Sequence, residues 1–211
     1  MATPDVRAQL LAAATRLFAA RGFEGTSLQA IAAAVGIRKP SLLYHFGSKE
    51  ELRQAVLDDL LARWNQVLPE LLMAAAERDR FDGVLDAMTD FFLDDPDRAR
   101  LLVRETLDRP EDVRDRLERY VRPWVAVALN QLKAAKSEGQ VHPRADLAAY
   151  VVHLVQLVVG SIAVMDTLVA LLPEGDVDRR ERLRTELRRM AKAGLFVPRA
   201  AAPKQYEVAA E

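Results

Sequence analysis

The chain has 211 residues, half of them hydrophobic, with 30 Lys and Arg against 31 Asp and Glu and no cysteine. That length supports one or two domains with a real apolar core, and the nearly cancelling charge excludes both a uniformly basic histone-like protein and an acidic disordered tail protein. The missing cysteine excludes disulfides, thiolate metal sites, Fe–S clusters and a cysteine nucleophile.

Met1-Ala2-Thr3-Pro4-Asp5 shows no basic stretch followed by an apolar one, so no secretory signal is expected. The apolar spacing is helical throughout, with Gly and Pro falling between periodic segments, and predicts an all-α chain of about nine helices. The first runs from about Pro4 to Ala20, with Thr3 as N-cap and Pro4 at the first helical position. Val6, Leu10, Ala14, Leu17 and Phe18 form its apolar stripe. A second helix begins at Thr26 and reaches about Val35; Thr26 and Gln29 have the spacing of a capping box. Gly36 supplies a tight turn, and a third helix covers about Lys39 to His45, with Pro40 tolerated in its first turn. Ser48-Lys49-Glu50-Glu51 is a second capping box and opens a long fourth helix carrying Leu52, Val56, Leu60 and Trp64.

Further helices are predicted over Phe81–Leu93, Asp97–Leu107, Glu111–Ser137, Asp146–Leu172 and Asp178–Ala193. Pro123 should kink or split the Glu111–Ser137 segment, and Gly194 should end the last helix. The stretch Leu147–Leu172 raises the question of a membrane span, but Asp146, His153, Gln156 and Asp166 punctuate it, so a fully buried helix is expected. Pro198–Glu211 has no periodicity and is expected to be a disordered tail.

Three short helices within the first 46 residues make a helix-turn-helix. Ile31, Val35, Ile37, Leu42 and Phe46 can pack together and onto Leu17 and Phe18, fixing the angle between the second and third helices. Arg38, Lys39, Ser41, Leu43, Tyr44 and His45 are then left outward, on a short helix that suits the major groove. Charge is unevenly placed. Residues 1–53 hold seven basic side chains (Arg7, Arg16, Arg21, Arg38, Lys39, Lys49, Arg53) and four acidic ones (Asp5, Glu24, Glu50, Glu51), a net of +3, while the remainder carries −4. A local basic patch is enough for phosphates, because binding comes from counterions displaced near it.

Thr26-Ser27-Leu28-Gln29-Ala30-Ile31-Ala32, then Gly36-Ile37-Arg38-Lys39-Pro40-Ser41-Leu42-Leu43-Tyr44-His45-Phe46, then Ser48-Lys49-Glu50-Glu51-Leu52, resembles the DNA-binding signature of the TetR/AcrR family of bacterial regulators. The resemblance covers about a quarter of the chain. It implies a helix-turn-helix domain over residues 1–47 and a helical ligand-binding and dimerisation domain over 48–197. Base or phosphate contacts are implied for Lys39, Pro40, Ser41, Tyr44 and His45. Lys49 would hold a phosphate, and Thr26, Ser27 and Gln29 would approach the DNA backbone, where helix N-termini favour anions. Leu43 departs from the family pattern, in which a phosphate-contacting tyrosine often stands there; Leu43 could instead touch a thymine methyl. Gln29 also reads as a cap, and Arg38 as either a base reader or a surface charge.

The second half is less specific. Trp64, Phe91, Phe92, Tyr120 and Trp124 read as core residues, some of which could line a pocket between long helices. His153 and Gln156, three apart on an apolar helix, share a face and need polar partners, from a ligand or across a dimer. The last two helices are the dimer candidates, with Leu183, Leu187 and Met190 on one stripe of the final one. Its arginines, interleaved with Asp176, Asp178, Glu181 and Glu186, read as a salt-bridged, solvated face.

No enzyme constellation appears: His45, His142 and His153 are far apart, and no zinc-protease, nucleophile-elbow, P-loop or dinucleotide motif is present. No cofactor or metal is expected. The sequence therefore predicts a cytoplasmic, homodimeric repressor that binds a palindromic operator and is released by a small apolar or aromatic effector shifting the fourth helix. Two alternatives are a DNA-bound architectural or cell-cycle factor without small-molecule sensing, and a helical ligand carrier or interaction module with a vestigial head.

Overall fold

The computed structural model describes residues 5–72, 81–173 and 178–197, apart from the side chains of residues 67–72 and 179. Among these the chain is all-α, with one isolated antiparallel bridge between Val141 and Phe196. The head comprises α1 (Val6–Arg21), α2 (Leu28–Ala34) and α3 (Lys39–His45), and α4 (Lys49–Leu72) leads out of it. The body adds α5 (Phe81–Leu93), α6 (Pro96–Asp108), α7 (Pro110–Arg116), a π-helical turn (Leu117–Val121), α8 (Arg122–Ser137), α9 (Leu147–Leu168), a 3-10 turn (Val169–Leu171) and α10 (Arg179–Leu195). With α7, the π turn and α8 taken as one continuous helix, the α-helices number nine among the described residues.

Several boundaries move for local reasons. The Asp5 side chain accepts from the Arg7 N–H and starts α1 at Val6 rather than Pro4; Thr3 and Pro4 lie outside the described residues. Ser27, not Thr26, caps α2 by accepting from the Ala30 N–H. At α4 the Glu51 N–H donates to Ser48 Oγ (3.0 Å) and the Glu51 carboxylate accepts from the Gly47 N–H (3.0 Å), so the box closes one residue further back than usual. The long Glu111–Ser137 segment is interrupted ahead of Pro123. The proline cannot donate to the preceding turn, and the Arg122 N–H reaches five residues back to Leu117 O. Gly194 does not end α10. The helix runs on to Leu195, whose carbonyl accepts from the His142 N–H (2.9 Å), while Tyr150 Oη donates to Ala191 O (2.8 Å). The expected tail, 198–211, lies outside the described residues.

Three apolar cores follow one another along the molecule. The first joins Leu10, Ala14, Phe18, Ile31, Leu42 and Phe46 of the head to Leu52, Val56 and Leu57 of α4 and to Leu101 of α6. Gly36, at φ 76°, allows the α2–α3 turn, and its N–H donates to Ala33 O. The second packs Trp64, Val84, Met88, Phe91 and Phe92 against Val158, Val159 and Ile162 of α9. The third sits at the far end, where Phe81 and Leu85 meet Leu132, Leu147, Leu195 and Phe196.

The apolar helix α9 is not fully buried, contrary to expectation. Leu147, Val158, Val159, Ile162 and Met165 turn inward, but Val152, Val164 and Leu168 are exposed. One flank closes the core, and the other leaves Val152, Val164 and Leu168 open. By length and composition alone, Leu147–Leu171 could also cross a membrane. The arginines of α10 differ from expectation too. Arg184 and Arg188 pair with Asp86 of α5, Arg184 also with Asp90, and Lys192 with Asp82, so half-buried cations dock α10 onto α5. Arg180 pairs with Asp166 of α9, and Arg189 pairs with an acidic neighbour on its own helix, Glu186. Leu187 of the predicted stripe is buried, whereas Met190 points outward.

Candidate nucleic-acid interface and apolar cavity

The outward side of α3 follows from what the inward side must bury. Leu42 is fully buried and Phe46 nearly so, locking α3 onto α1 and α2. Arg38, Lys39, Pro40, Ser41 and Tyr44 are consequently exposed, while Leu43 and His45 are half-buried. Tyr44 is 88% exposed. Its ring meets His45 edge-on, with centroids 5.6 Å apart. Arg38 occupies the N-cap position of α3 without capping it, which leaves its guanidinium free of that role. Ser27 and Gln29, at the start of α2, are exposed.

Thr26 takes a different part from the one expected. It is buried, and its hydroxyl donates to Gly22 O (2.8 Å) and lies 3.1 Å from Leu17 O. It therefore ties α2 to the end of α1 instead of facing DNA. Lys49 opens α4 half-buried, with Nζ 4.1 Å from the centroid of the Phe23 ring. Arg109 reaches the same ring from the α6–α7 junction at 4.4 Å.

Beneath the head, a cluster of charges joins α4 to α6 and α7. Arg53 is 1% exposed, and its guanidinium donates to Glu50 (2.6 Å), to the buried Glu105 of α6 and to Asp112 of α7. Burial pulls the Arg53 guanidinium toward its neutral form, but hydrogen bonds to Glu50, Asp112 and Glu105 outweigh it and hold the group above its ordinary range. Burial likewise pushes the Glu50 carboxyl up. Hydrogen bonds from Arg53 and Gln54, with the charges of Arg53 and Arg109, overcome that and leave it at about 2. Arg116 of α7 extends the cluster to Asp58 (3.0 Å) and Gln54 of α4. Sequence reasoning did not single out Arg53; the available signal was a cation set among Leu52, Val56 and Leu57, where an apolar residue is normal.

The body encloses a cavity of about 120 Å³. Its walls come from α4 (Leu60, Trp64), α5, Leu102 of α6, Leu117 and Val121 of the π turn, α8 and α9. Trp64, Phe92 and Trp124 line it. Phe91 lies outside the lining; it packs edge-on against Trp64 at 5.0 Å and lies under the Arg98 guanidinium. Tyr120 packs against the head core instead. His153 and Gln156 share a face, but it is the exposed one; Val151, Leu154, Val155 and Val159 are the α9 residues in the wall. Those four, and Tyr150, carry the helical spacing that would have marked them had the direction of α9 been known. Among the described residues no carboxylate or cation stands in the wall, and the phenol of Tyr150 is turned to Ala191 O, with burial pushing its pKa up. Among the described residues no group of acidic, His or Cys side chains could hold a metal ion.

Residues 10–56, the span from α1 into α4, match the model of the bacterial regulatory proteins of the tetR family. Over that span the chain is similar to the DNA-binding segment of that family. Over 100 residues it is 36% identical to the HTH-type transcriptional activator FasR of Mycolicibacterium smegmatis, covering 46% of this chain and 44% of that protein. Over 108 residues it is 27% identical to IcaR of Staphylococcus epidermidis, named as a negative transcriptional regulator of the biofilm operon icaADBC, covering 51% and 57%. The chain thus spans about half the length of these curated relatives. The fold extends further: the ketosteroid transcriptional regulator KstR2 of Mycobacterium tuberculosis superposes with a TM-score of 0.69 at 20% identity, over 93% of this chain and 97% of that one. The TetR fold therefore includes the body as well as the head.

Proposed function

We propose that this protein is a homodimeric, ligand-responsive repressor that acts in the cytoplasm and binds a palindromic operator. The exposed face of α3 carries this reading: Arg38, Lys39, Ser41 and Tyr44 project from a helix that a full apolar core holds rigid. Two such helices reading successive major grooves stand about 34–36 Å apart. Residues 1–47 serve as the reader and 48–197 as the sensor and dimer half. Ser27 and Gln29 at the start of α2, with Leu43, His45 and Lys49, flank the groove contacts. The open flank of α9, with Val152, His153, Gln156, Val164 and Leu168, suits a two-fold contact with its mate alongside α10.

The effector of this reading is small, apolar and uncharged. A bound carboxylate or ammonium would lose its water in the cavity and find no counter-charge among the described residues of the wall. A cavity of about 150 Å³ holds benzene, so about 120 Å³ accepts roughly one ring before the walls must move. The test is to recover and sequence genomic fragments bound by the purified chain at near-physiological salt, then footprint one of them. A shared inverted repeat protected with two-fold symmetry is expected. Broad enrichment, or a footprint without symmetry, contradicts the reading.

A further inference from the structure

We propose that Asp112 and Arg116, on α7 just ahead of the π-helical turn Leu117–Val121, are the positioning residues through which an occupied cavity moves α4 and with it the head. The inference rests on the reading that the cavity takes an effector. Its ground is that one short segment touches every part involved. Leu117 and Val121 stand in the cavity wall. Val121 and Tyr120 pack at the same time against the head core. One turn earlier, Asp112 binds Arg53 and Arg116 binds Asp58 and Gln54, which puts three grips on the half of α4 nearest the head.

The segment is also the wall best able to give way. A π turn holds one residue more than an α turn and lacks the regular i to i−4 ladder, and such turns recur at functional sites. Here Pro123 cannot supply the missing donor. Leu117 is 38% exposed, while the α9 wall residue Val159 is buried and backed by the packed Val158 and Ile162. A ligand larger than about 120 Å³ therefore displaces the π turn first. Movement there is passed to buried charges, which tolerate no loose partner: pulling Asp112 away from Arg53 leaves that cation with Glu50 and Glu105 alone. The other path is direct, since Leu60 and Trp64 of α4 also line the cavity, and the test separates the two.

The experiment uses the full chain, the uncharged fluorophore N-phenyl-1-naphthylamine as cavity probe, and amide hydrogen exchange as readout. In the unaltered protein the probe is expected to change exchange over residues 112–121 and over 49–58. Asp112→Asn should bind the probe within roughly twofold of the parent yet lose the response at 49–58; its effect on DNA affinity should drop from the 5–150-fold typical of linked sites to under about twofold. Glu111→Gln removes the same charge one residue away, from an exposed pair with Arg114, and should behave as the parent. Arg116→Gln is the second variant and should repeat the loss, should Asp112→Asn not fold. A response at 49–58 that survives both variants, or that vanishes equally in Glu111→Gln, overturns the inference and assigns transmission to α4 directly. Absence of probe binding to the parent overturns the cavity reading itself, and the relay with it.

Discussion

The head and the body are built from the same residue types but packed to different ends. In the head, Leu10, Ala14, Phe18, Ile31 and Leu42 are wholly occluded. In the body, Trp64, Phe92 and Val155 border a cavity, and α9 leaves an apolar flank uncovered. Close packing makes the head a fixed template, because displacing any of its side chains opens a void. The proposed function places a ligand in the body's cavity and a second subunit on its open flank. On the proposed reading, rigidity stands where DNA geometry is held and slack where a signal enters.

The sharpest way to break this comparison is Phe18→Ala. It should cost about 3–5 kcal/mol, since the cavity it leaves in the head cannot collapse, and urea denaturation measures it. Next, Lys39→Ala with Tyr44→Ala should remove about 1–3 kcal/mol per specific contact from DNA affinity and lower the salt slope by about 1 for each phosphate lost, with melting unchanged. Binding isotherms at several salt concentrations read both. Thr26→Val should cost about 1–3 kcal/mol of stability, because two carbonyls at the end of α1 lose their buried donor; a loss confined to DNA affinity would return Thr26 to the interface. Val155→Phe should fall within about 1 kcal/mol of the parent and exclude the fluorescent probe, because the added ring fills existing space rather than strained core.

The smallest effect is on pH dependence. Glu50 lies below its ordinary value of 4.5 in the folded protein, at about 2. Its unfolded form binds the proton first, so the stability it lends is full above about pH 4.5 and is lost as pH falls toward about 2. Solvent around this half-exposed carboxylate screens the contribution. Glu50→Gln should flatten the acid limb of the stability profile and leave the neutral plateau slope unchanged, as followed by melting temperature between pH 2 and pH 7.

The elements were legible where punctuation was local. Gly36 and Pro40 delimit α3, and its bounds, Lys39 to His45, are those the sequence predicts. The α2 cap shifted by one residue because Thr26 and Ser27 both carry hydroxyls, and only the carbonyls of α1, distant in sequence, select Thr26 for burial. Pro123 announced a break but not its form, since a π turn depends on which carbonyl the Arg122 N–H can reach. His153 and Gln156 could be placed on a common face but not on the outer one, because α9 is apolar nearly all round. The Arg53 cluster was out of sight for the same reason: its partners Glu105 and Asp112 lie 52 and 59 residues away.

The account's central claim is that slack in the body is linked to the reading head. Thermodynamic linkage makes that claim reciprocal. The most direct test titrates N-phenyl-1-naphthylamine into the full chain, free and saturated with an inverted repeat recovered from its own bound fragments. The account predicts that DNA weakens probe binding by the same factor by which the probe weakens DNA binding. Equal probe affinity in the two states, with the probe seated in the cavity, would contradict it.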